Sequence, residues 1–587
     1  MATLSQQPRS LPWLLALLVP LAVLGRYSTL VLSRSSEHLN AMAEELGGVR
    51  EFFAKPVPKH GSDVLFFSET ADDGIAAYIR DGSNGGKTLL YTQKQGKLSG
   101  LGLGGWSPDD GLFAYSRRSP DSEIVISDGK STNDAVATVQ ASQIIGELTW
   151  LSPQSLVCLD VKNDFHLIKN SDGKWTSSPL FKKRSQPAKQ AGTPASRVPA
   201  AAMKGLLATS GNSVAWQQGG DIWSYQLGAE APERIWESTN FSLLEFSFSE
   251  GQNRLLLHGR DRRGEFIADG DPASGSIGTP DRIQKSGVSF ATNLVCINGG
   301  LGYAYVVHGT GSDTVVIKPT RDAAPIQLPW RSVAFLTAND TAVYVTGEEI
   351  NEPPAIWRYN VSDQTLNSEV SSMDRPFRYA KNVTALHGVV TNAQGVTVDY
   401  YLCPPVNFSP ARKYGLLFAF SANQWRPNQE AVPNAGAYFA YLQQTTSRNQ
   451  VADTLAVMDT LVQNPNVDTN RLYISGNSAA ASTAVQLLVL RPDLWRGAVL
   501  WSALSFPDVY RIRASRILMD SGSDDAYLAK EGGVKKLTEF QDAAARAGVS
   551  VTLAVHAGAP HIYRSTTLET ERIKEMLDYL FGAGKND

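Results

Sequence analysis

The chain has 587 residues, long for one domain, so two domains and a terminal segment are expected. It is 42% hydrophobic and 19% charged with a formal net charge of −3, a balance that gives no basic surface for nucleic acid. Three cysteines, Cys158, Cys296 and Cys403, are scattered and odd in number, which implies neither a disulfide framework nor a zinc site; they read as core residues.

At the N-terminus, residues 11–25 form an apolar run preceded by Arg9 and followed by Arg26. Its length suits the apolar region of a signal peptide, and Val23-Leu24-Gly25 is an acceptable cleavage site. The longer stretch from Leu11 to Leu32 would span a bilayer if Arg26 snorkels to one end. Residues 1–35 are therefore expected to be a signal peptide or a membrane anchor, and either sends the protein across a membrane. An amphipathic helix over residues 36–54 is expected next, within a linker ending near residue 60.

From residue 61 to residue 380 the pattern is all β. Short apolar runs such as Val64-Leu65-Phe66-Phe67 and Ala342-Val343-Tyr344-Val345 recur between Gly, Asp, Ser and Pro turns, with almost no helical period. A weak repeat is visible. Trp106-Ser107-Pro108-Asp109 is echoed by Trp150-Leu151-Ser152-Pro153 and by Phe246-Ser247-Phe248-Ser249. Asp221-Ile222-Trp223-Ser224-Tyr225 is matched by Ala355-Ile356-Trp357-Arg358-Tyr359. At a period of ~40–50 residues, this region holds about seven blades of a β-propeller. Within it, Phe181 to Pro199 is basic and rich in Pro and Ala, the composition of an exposed insertion.

From residue 381 to residue 587 strands alternate with helices, as a parallel sheet requires. Two alternating strands flank Asn392-Ala393-Gln394-Gly395, and Tyr414 to Phe420 reads as a buried strand. A helix from Asn449 to Gln463 leads to Leu472-Tyr473-Ile474-Ser475-Gly476-Asn477-Ser478-Ala479-Ala480. This is an apolar strand, a turn centred on a serine, and a small-residue helix: the setting of a G-x-S-x-G nucleophile elbow, with Ala480 in place of the second glycine. Alone it is a modest signal, since such a phrase also occurs in ordinary turns. Downstream, the strand before Asp520-Ser521-Gly522-Ser523-Asp524-Asp525 breaks into a turn rich in carboxylates. Helix Gly532 to Ala547 and strand Val549 to Val555 precede a loop with His561, and a closing helix runs from Thr567 to Leu580. Only His556 and His561 follow the serine. Ser, Asp and His thus come in the chain order of an α/β-hydrolase triad, on three strand ends.

A Trp-Ser-Pro-Asp-type propeller followed by a C-terminal α/β-hydrolase domain resembles the prolyl oligopeptidase family of serine peptidases. The resemblance is densest from Val451 to Ala484 and from Ile517 to His561. It implies Ser478 as nucleophile, His561 as general base and Asp525 as its orienter, with Asp524 as the alternative acid. It also implies the Ala479 N–H as one oxyanion donor, and short peptides or acyl esters as substrates, with no metal or organic cofactor.

The chain departs from the family where the second oxyanion donor is expected. Phe420-Ser421-Ala422-Asn423 stands there, and Phe420 has no hydroxyl. Losing such a donor costs roughly 3–4 kcal/mol of transition-state stabilisation if nothing replaces it. Trp501, Phe506 and Tyr510 are pocket candidates for which packing is the plainer role. Glu348-Glu349 reads as a pair of solvated charges rather than a clamp for a substrate amino terminus. Three functions fit this pattern: a peptidase for short peptides, a carboxylesterase on the same triad, and a binding protein with an altered oxyanion hole.

Overall fold

A computed structural model describes residues 36–581 except 51, 53–55, 60–61, 63, 83–84, 95–104, 120, 129–134, 142–144, 161–164, 181–202, 210–212, 219, 238–239, 250–253, 272, 284–289, 310–311, 349–353, 373–378, 380–382, 421–426, 443–448, 507–508, 515, 562 and 564. The leader at residues 1–35 and the basic insertion at residues 181–199 lie outside the described residues.

Seven antiparallel sheets follow one another in the chain, each built from four strands in sequence order. They cover residues 57–94, 105–141, 145–179, 203–236, 242–277, 290–330 and 332–371, and the fifth adds a short strand at Asp281–Arg282. These are the seven blades expected from the period of the repeat. The repeat itself has a structural cause. Ser-Pro-Asp lies in the turn from the first to the second strand of a blade: the Ser107 hydroxyl donates to Asp109 (2.6 Å) and accepts from the Leu112 N–H (2.9 Å). Ser152 occupies the same turn in blade 3, and Ser249 ends the first strand of blade 5. The Ile-Trp-x-Tyr phrases are both third strands, in blades 4 and 7.

Tryptophans also tie neighbouring blades together. Trp106 of blade 2 donates to the Val57 carbonyl of blade 1 (3.4 Å), and Trp150 of blade 3 donates to the Gly105 carbonyl of blade 2 (2.8 Å). No strand is exchanged between blades 1 and 7 among the described residues. The ring closes there through side chains. Leu65 and Phe67 pack on Tyr344 and Ile356, Asn339 donates to the Lys59 and Ser62 carbonyls (3.2 and 3.3 Å), and Arg80 pairs with Glu369.

The C-terminal sheet has eight strands: β1 (Leu386–Thr391), β2 (Thr397–Cys403), β3 (Tyr414–Phe420), β4 (Tyr438–Leu442), β5 (Val467–Asn477), β6 (Gly497–Trp501), β7 (Arg516–Gly522) and β8 (Ser550–His556). Their spatial order is β1-β2-β4-β3-β5-β6-β7-β8. The first two strands are antiparallel to their neighbours, and the rest of the sheet is parallel. The turn between β1 and β2 is held by Asn392, whose side chain accepts from Gln394 N and Val396 N, while Gly395 takes φ 77°.

Helices cover both faces of this sheet, and the period of two along each strand divides its residues between two cores. Leu416 and Phe418 of β3 pack toward helices α3 (Gln450–Leu461), α4 (Ala479–Leu490) and α6 (Gly533–Arg546). Leu417 and Ala419 pack toward α1 (Ser36–Gly47), α2 (Pro427–Asn434) and α7 (Thr566–Phe581). A five-residue helix, α5 (Ala526–Lys530), precedes α6. The linker helix expected over residues 36–54 is corrected: it runs over Ser36–Gly47 only and packs as part of the C-terminal domain. Leu39, Met42, Ala43 and Leu46 are all fully buried in the second core of the C-terminal domain, although the propeller separates them from it in the chain.

Candidate active site

Parallel strands β5, β6, β7 and β8 end on one edge of the sheet, where open α/β sheets place their ligand sites. Ser478 follows β5 directly. It has φ 55° and ψ −119°, a conformation that is sparsely populated for a residue with a Cβ. The strain is tolerated because the turn is held on both sides. The Ser478 N–H donates to the Trp501 carbonyl at the end of β6 (2.9 Å), and its carbonyl accepts from Ser482 N in the first turn of α4. The turn also brings β5 and α4 so close that a Cβ on Gly476 would collide with the Ala480 carbonyl, so only glycine fits there.

Asp525 follows β7 and caps α5. One carboxylate oxygen accepts from Tyr527 N (2.9 Å) and Leu528 N (3.0 Å). This cap orients the other oxygen, which accepts from His561 Nδ1 at 2.7 Å. His561 Nε2 in turn accepts from the Ser478 hydroxyl at 2.7 Å. Asp525 is buried, while Ser478 and His561 keep partial exposure. Asp524, the alternative acid, lies in the turn, where its N–H donates to the Ala559 carbonyl (3.0 Å). The loops that carry Asp525 and His561 touch so closely that Gly522 has no room for a Cβ beside Ala559.

Ala479 opens α4, so its N–H has no acceptor within the helix and lies at the positive end of the helix dipole, next to Ser478. Phe420 ends β3, and Ser421 and Asn423 fall outside the described residues. The expected pocket aromatics separate. Trp501 packs toward the second core under the Arg572 guanidinium, 5.0 Å from its ring. Phe506 packs on Phe540 (5.6 Å between ring centres), and Tyr510 is 73% exposed. A residue that sequence did not single out, Tyr527, stands against the His561 ring (4.8 Å between centres) and is more than half exposed. Its place just after the Asp525 cap was the available signal.

One expectation is corrected. Glu348 is not a solvated charge: it is buried (3% exposed) in the second strand of blade 7. The neighbouring Arg331 donates from its backbone N–H to the Glu348 carbonyl (3.1 Å) and from its guanidinium to the Tyr441 hydroxyl of β4 (2.6 Å). The position is buried because it lies where the propeller meets the C-terminal domain. Glu349 lies outside the described residues.

The other downstream histidine, His556, is the last residue of β8 and belongs to a separate group of charged side chains centred on the buried Asp520. His556 Nε2 donates to Asp520 (2.9 Å) and its Nδ1 to Glu571 (3.2 Å), with Glu575 3.6 Å away. The other Asp520 oxygen accepts from the Tyr563 hydroxyl (2.9 Å) and from Arg572 (3.4 Å). Burial alone would raise the Asp520 pKa, but the Arg572 charge and the His556 hydrogen bond outweigh it and hold the carboxyl below its ordinary range. His556 is pushed up to about 10 by its hydrogen bonds to Asp520 and Glu575. Asp520, His556 and Glu575 are the one group among the described residues that could hold a metal ion, with ligand atoms within 4.8 Å of one another. A protonated His556 and Arg572 already balance much of the negative charge there.

No protein-family model and no curated protein matches the sequence. Solved structures do resemble it. A prolyl endopeptidase, one of two analysed for the role of inter-domain dynamics in catalysis and specificity, is 14% identical with a TM-score of 0.68, covering 94% of this chain and 93% of its own. A puromycin-hydrolyzing peptidase from Mycobacterium tuberculosis is 13% identical with a TM-score of 0.69, covering 92% and 95%. The acylaminoacyl peptidase of Pyrococcus horikoshii is 12% identical with a TM-score of 0.62, covering 92% and 96%. The likeness extends over both domains, and the chain has the architecture of these peptidases, a seven-bladed β-propeller joined to an α/β-hydrolase domain.

Proposed function

We propose that the protein is a serine hydrolase, most specifically a peptidase of the prolyl oligopeptidase type that cleaves short peptides. The observation that carries this reading is the pair of 2.7 Å contacts joining Asp525, His561 and Ser478 in one line. With Nδ1–H committed to Asp525, the free tautomer of His561 presents an unprotonated Nε2 to the serine hydroxyl. His561 takes that proton as Ser478 Oγ attacks an acyl carbon, and Asp525 stabilises the imidazolium that forms. The Ala479 N–H and the N-terminus of α4 stabilise the oxyanion. His561 then returns the proton to the leaving group, and water attacks the acyl-enzyme by the same steps in reverse.

A propeller joined to the hydrolase domain favours short peptides over bulky proteins as substrates in this reading; its first blade meets the segment after His561, where Ser565 and Thr566 donate to Asp72. The structures that resemble this chain are those of peptidases, which supports an amide rather than an ester as the bond cleaved. Export across a membrane is part of the same proposal and rests on the apolar run at residues 11–25; cell fractionation with N-terminal sequencing tests it. Among the described residues no helix is long and apolar enough to cross a membrane.

Labelling with a fluorophosphonate probe tests the central claim. Wild type is expected to label, Ser478→Ala not at all and His561→Ala far more slowly. Matched amide and ester panels then separate peptidase from carboxylesterase. A folded wild type that does not label would leave a binding role for the propeller.

A further inference from the structure

We infer that Asp520 is a positioning residue for His561, its carboxylate holding both ends of the segment that presents the base; this rests on the triad reading above. His556 lies five residues before His561 and Tyr563 two residues after it. Both donate to the same buried carboxylate, His556 Nε2 to Oδ2 (2.9 Å) and the Tyr563 hydroxyl to Oδ1 (2.9 Å). The segment between is short, so fixing its two ends restricts where His561 can stand.

A third connection runs through the backbone. The Asp520 carbonyl accepts from Ser502 N (2.8 Å), and the Ser502 hydroxyl donates to the carbonyl of His561 itself (2.9 Å). Ser502 adopts φ 49°, an uncommon conformation for a residue with a Cβ, which places it to make both bonds. Asp520 is 1% exposed and sits on an internal strand, paired with β6 on one side and β8 on the other, so it is a rigid point of reference. Arg572 from α7 donates to Oδ1 and keeps the carboxylate from turning. None of these groups touches Ser478. Their effect on the reaction passes through the placement of His561, where a displacement of an ångström is enough to cost about 10²-fold in rate.

Asp520→Asn, Tyr563→Phe and Ser502→Ala, each in the full chain and each also combined with His561→Ala, test this. Two quantities are read on protein shown to be folded by its thermal transition. One is the rate of fluorophosphonate labelling. The other is the downfield proton resonance of the His561 Nδ1–H to Asp525 bond, assigned by its disappearance in His561→Ala. Asp520→Asn is expected to slow labelling by about 10²-fold and to broaden or abolish the resonance. In the His561→Ala background it is expected to leave the residual rate unchanged. Should Asp520→Asn fail to fold, the two hydroxyl deletions carry the test, with a smaller effect in the same direction. A resonance unchanged in the folded variants overturns the clamp, and so does equal slowing in the His561→Ala background. A wild type that shows the resonance but does not label defeats the hydrolase reading, while the resonance still decides the clamp. A wild type with no such resonance overturns the clamp.

Discussion

Two histidines five residues apart each donate a ring N–H to a buried aspartate, His561 to Asp525 at 2.7 Å and His556 to Asp520 at 2.9 Å. What differs is the rest of each surrounding. The second nitrogen of His561 faces the Ser478 hydroxyl, whose proton it can accept. The second nitrogen of His556 faces Glu571, and the hydrogen bonds to Asp520 and Glu575 raise the pKa of the ring. Asp525 has its remaining oxygen filled by two backbone N–H groups, whereas Asp520 has an arginine and a tyrosine on its own. The two pairs therefore differ in what lies on their outer sides: one leaves a ring nitrogen against a hydroxyl, the other closes it with a carboxylate.

The largest expected effects break the first pair. Ser478→Ala and His561→Ala should each lower kcat by roughly 10⁶-fold, measured on whichever substrate the panels identify. Asp525→Asn should follow at about 10⁴-fold, because an amide in that position favours the wrong imidazole tautomer. Breaking the second pair acts on stability. Asp520→Ala leaves two buried cations without their carboxylate and should cost about 3–5 kcal/mol in urea unfolding.

The smallest effect sharpens the contrast through pH. His556 is surrounded by Asp520, Glu571 and Glu575, with the Tyr563 ring edge-on against its own (5.3 Å between centres) and Arg572 beyond Asp520. Its folded pKa, near 10, lies above its ordinary value of 6.5, so the stabilisation is fully present below about pH 6.5 and is lost as pH rises through about 10. Urea midpoints of the wild type should fall between those limits, and those of His556→Gln should fall less steeply. A slope that is the same in both would show that His556 does not carry the charge assigned to it.

The elements of both domains were legible in the sequence where one local rule governs them. The Ser-Pro-Asp phrase marks a blade turn because its hydroxyl and carboxylate bond within a few residues of each other. The elbow was legible because Gly476, Ser478 and the small residues after it are required by one close approach of strand and helix. Glu348 was misread because local context, a charged pair before two prolines, carries no information about the domain that covers it. Asp520 was passed over for a similar reason. Its partners Tyr563 and Arg572 lie 43 and 52 positions away, and an aspartate at the end of an apolar strand has no local mark that separates it from a turn former.

Ordered motifs and periods by themselves determined the two-domain plan, the blade repeat, and the order of serine, aspartate and histidine, since each depends on contacts between near neighbours in the chain. The tertiary structure alone decided what surrounds His556 and Asp520, that Glu348 is covered, and that α1 completes the core of a domain encoded more than 300 residues later. Those outcomes depend on strand order and on the packing of distant segments. Two residues with the same side chain are then distinguished only by the groups that the folded sheet brings to their other faces.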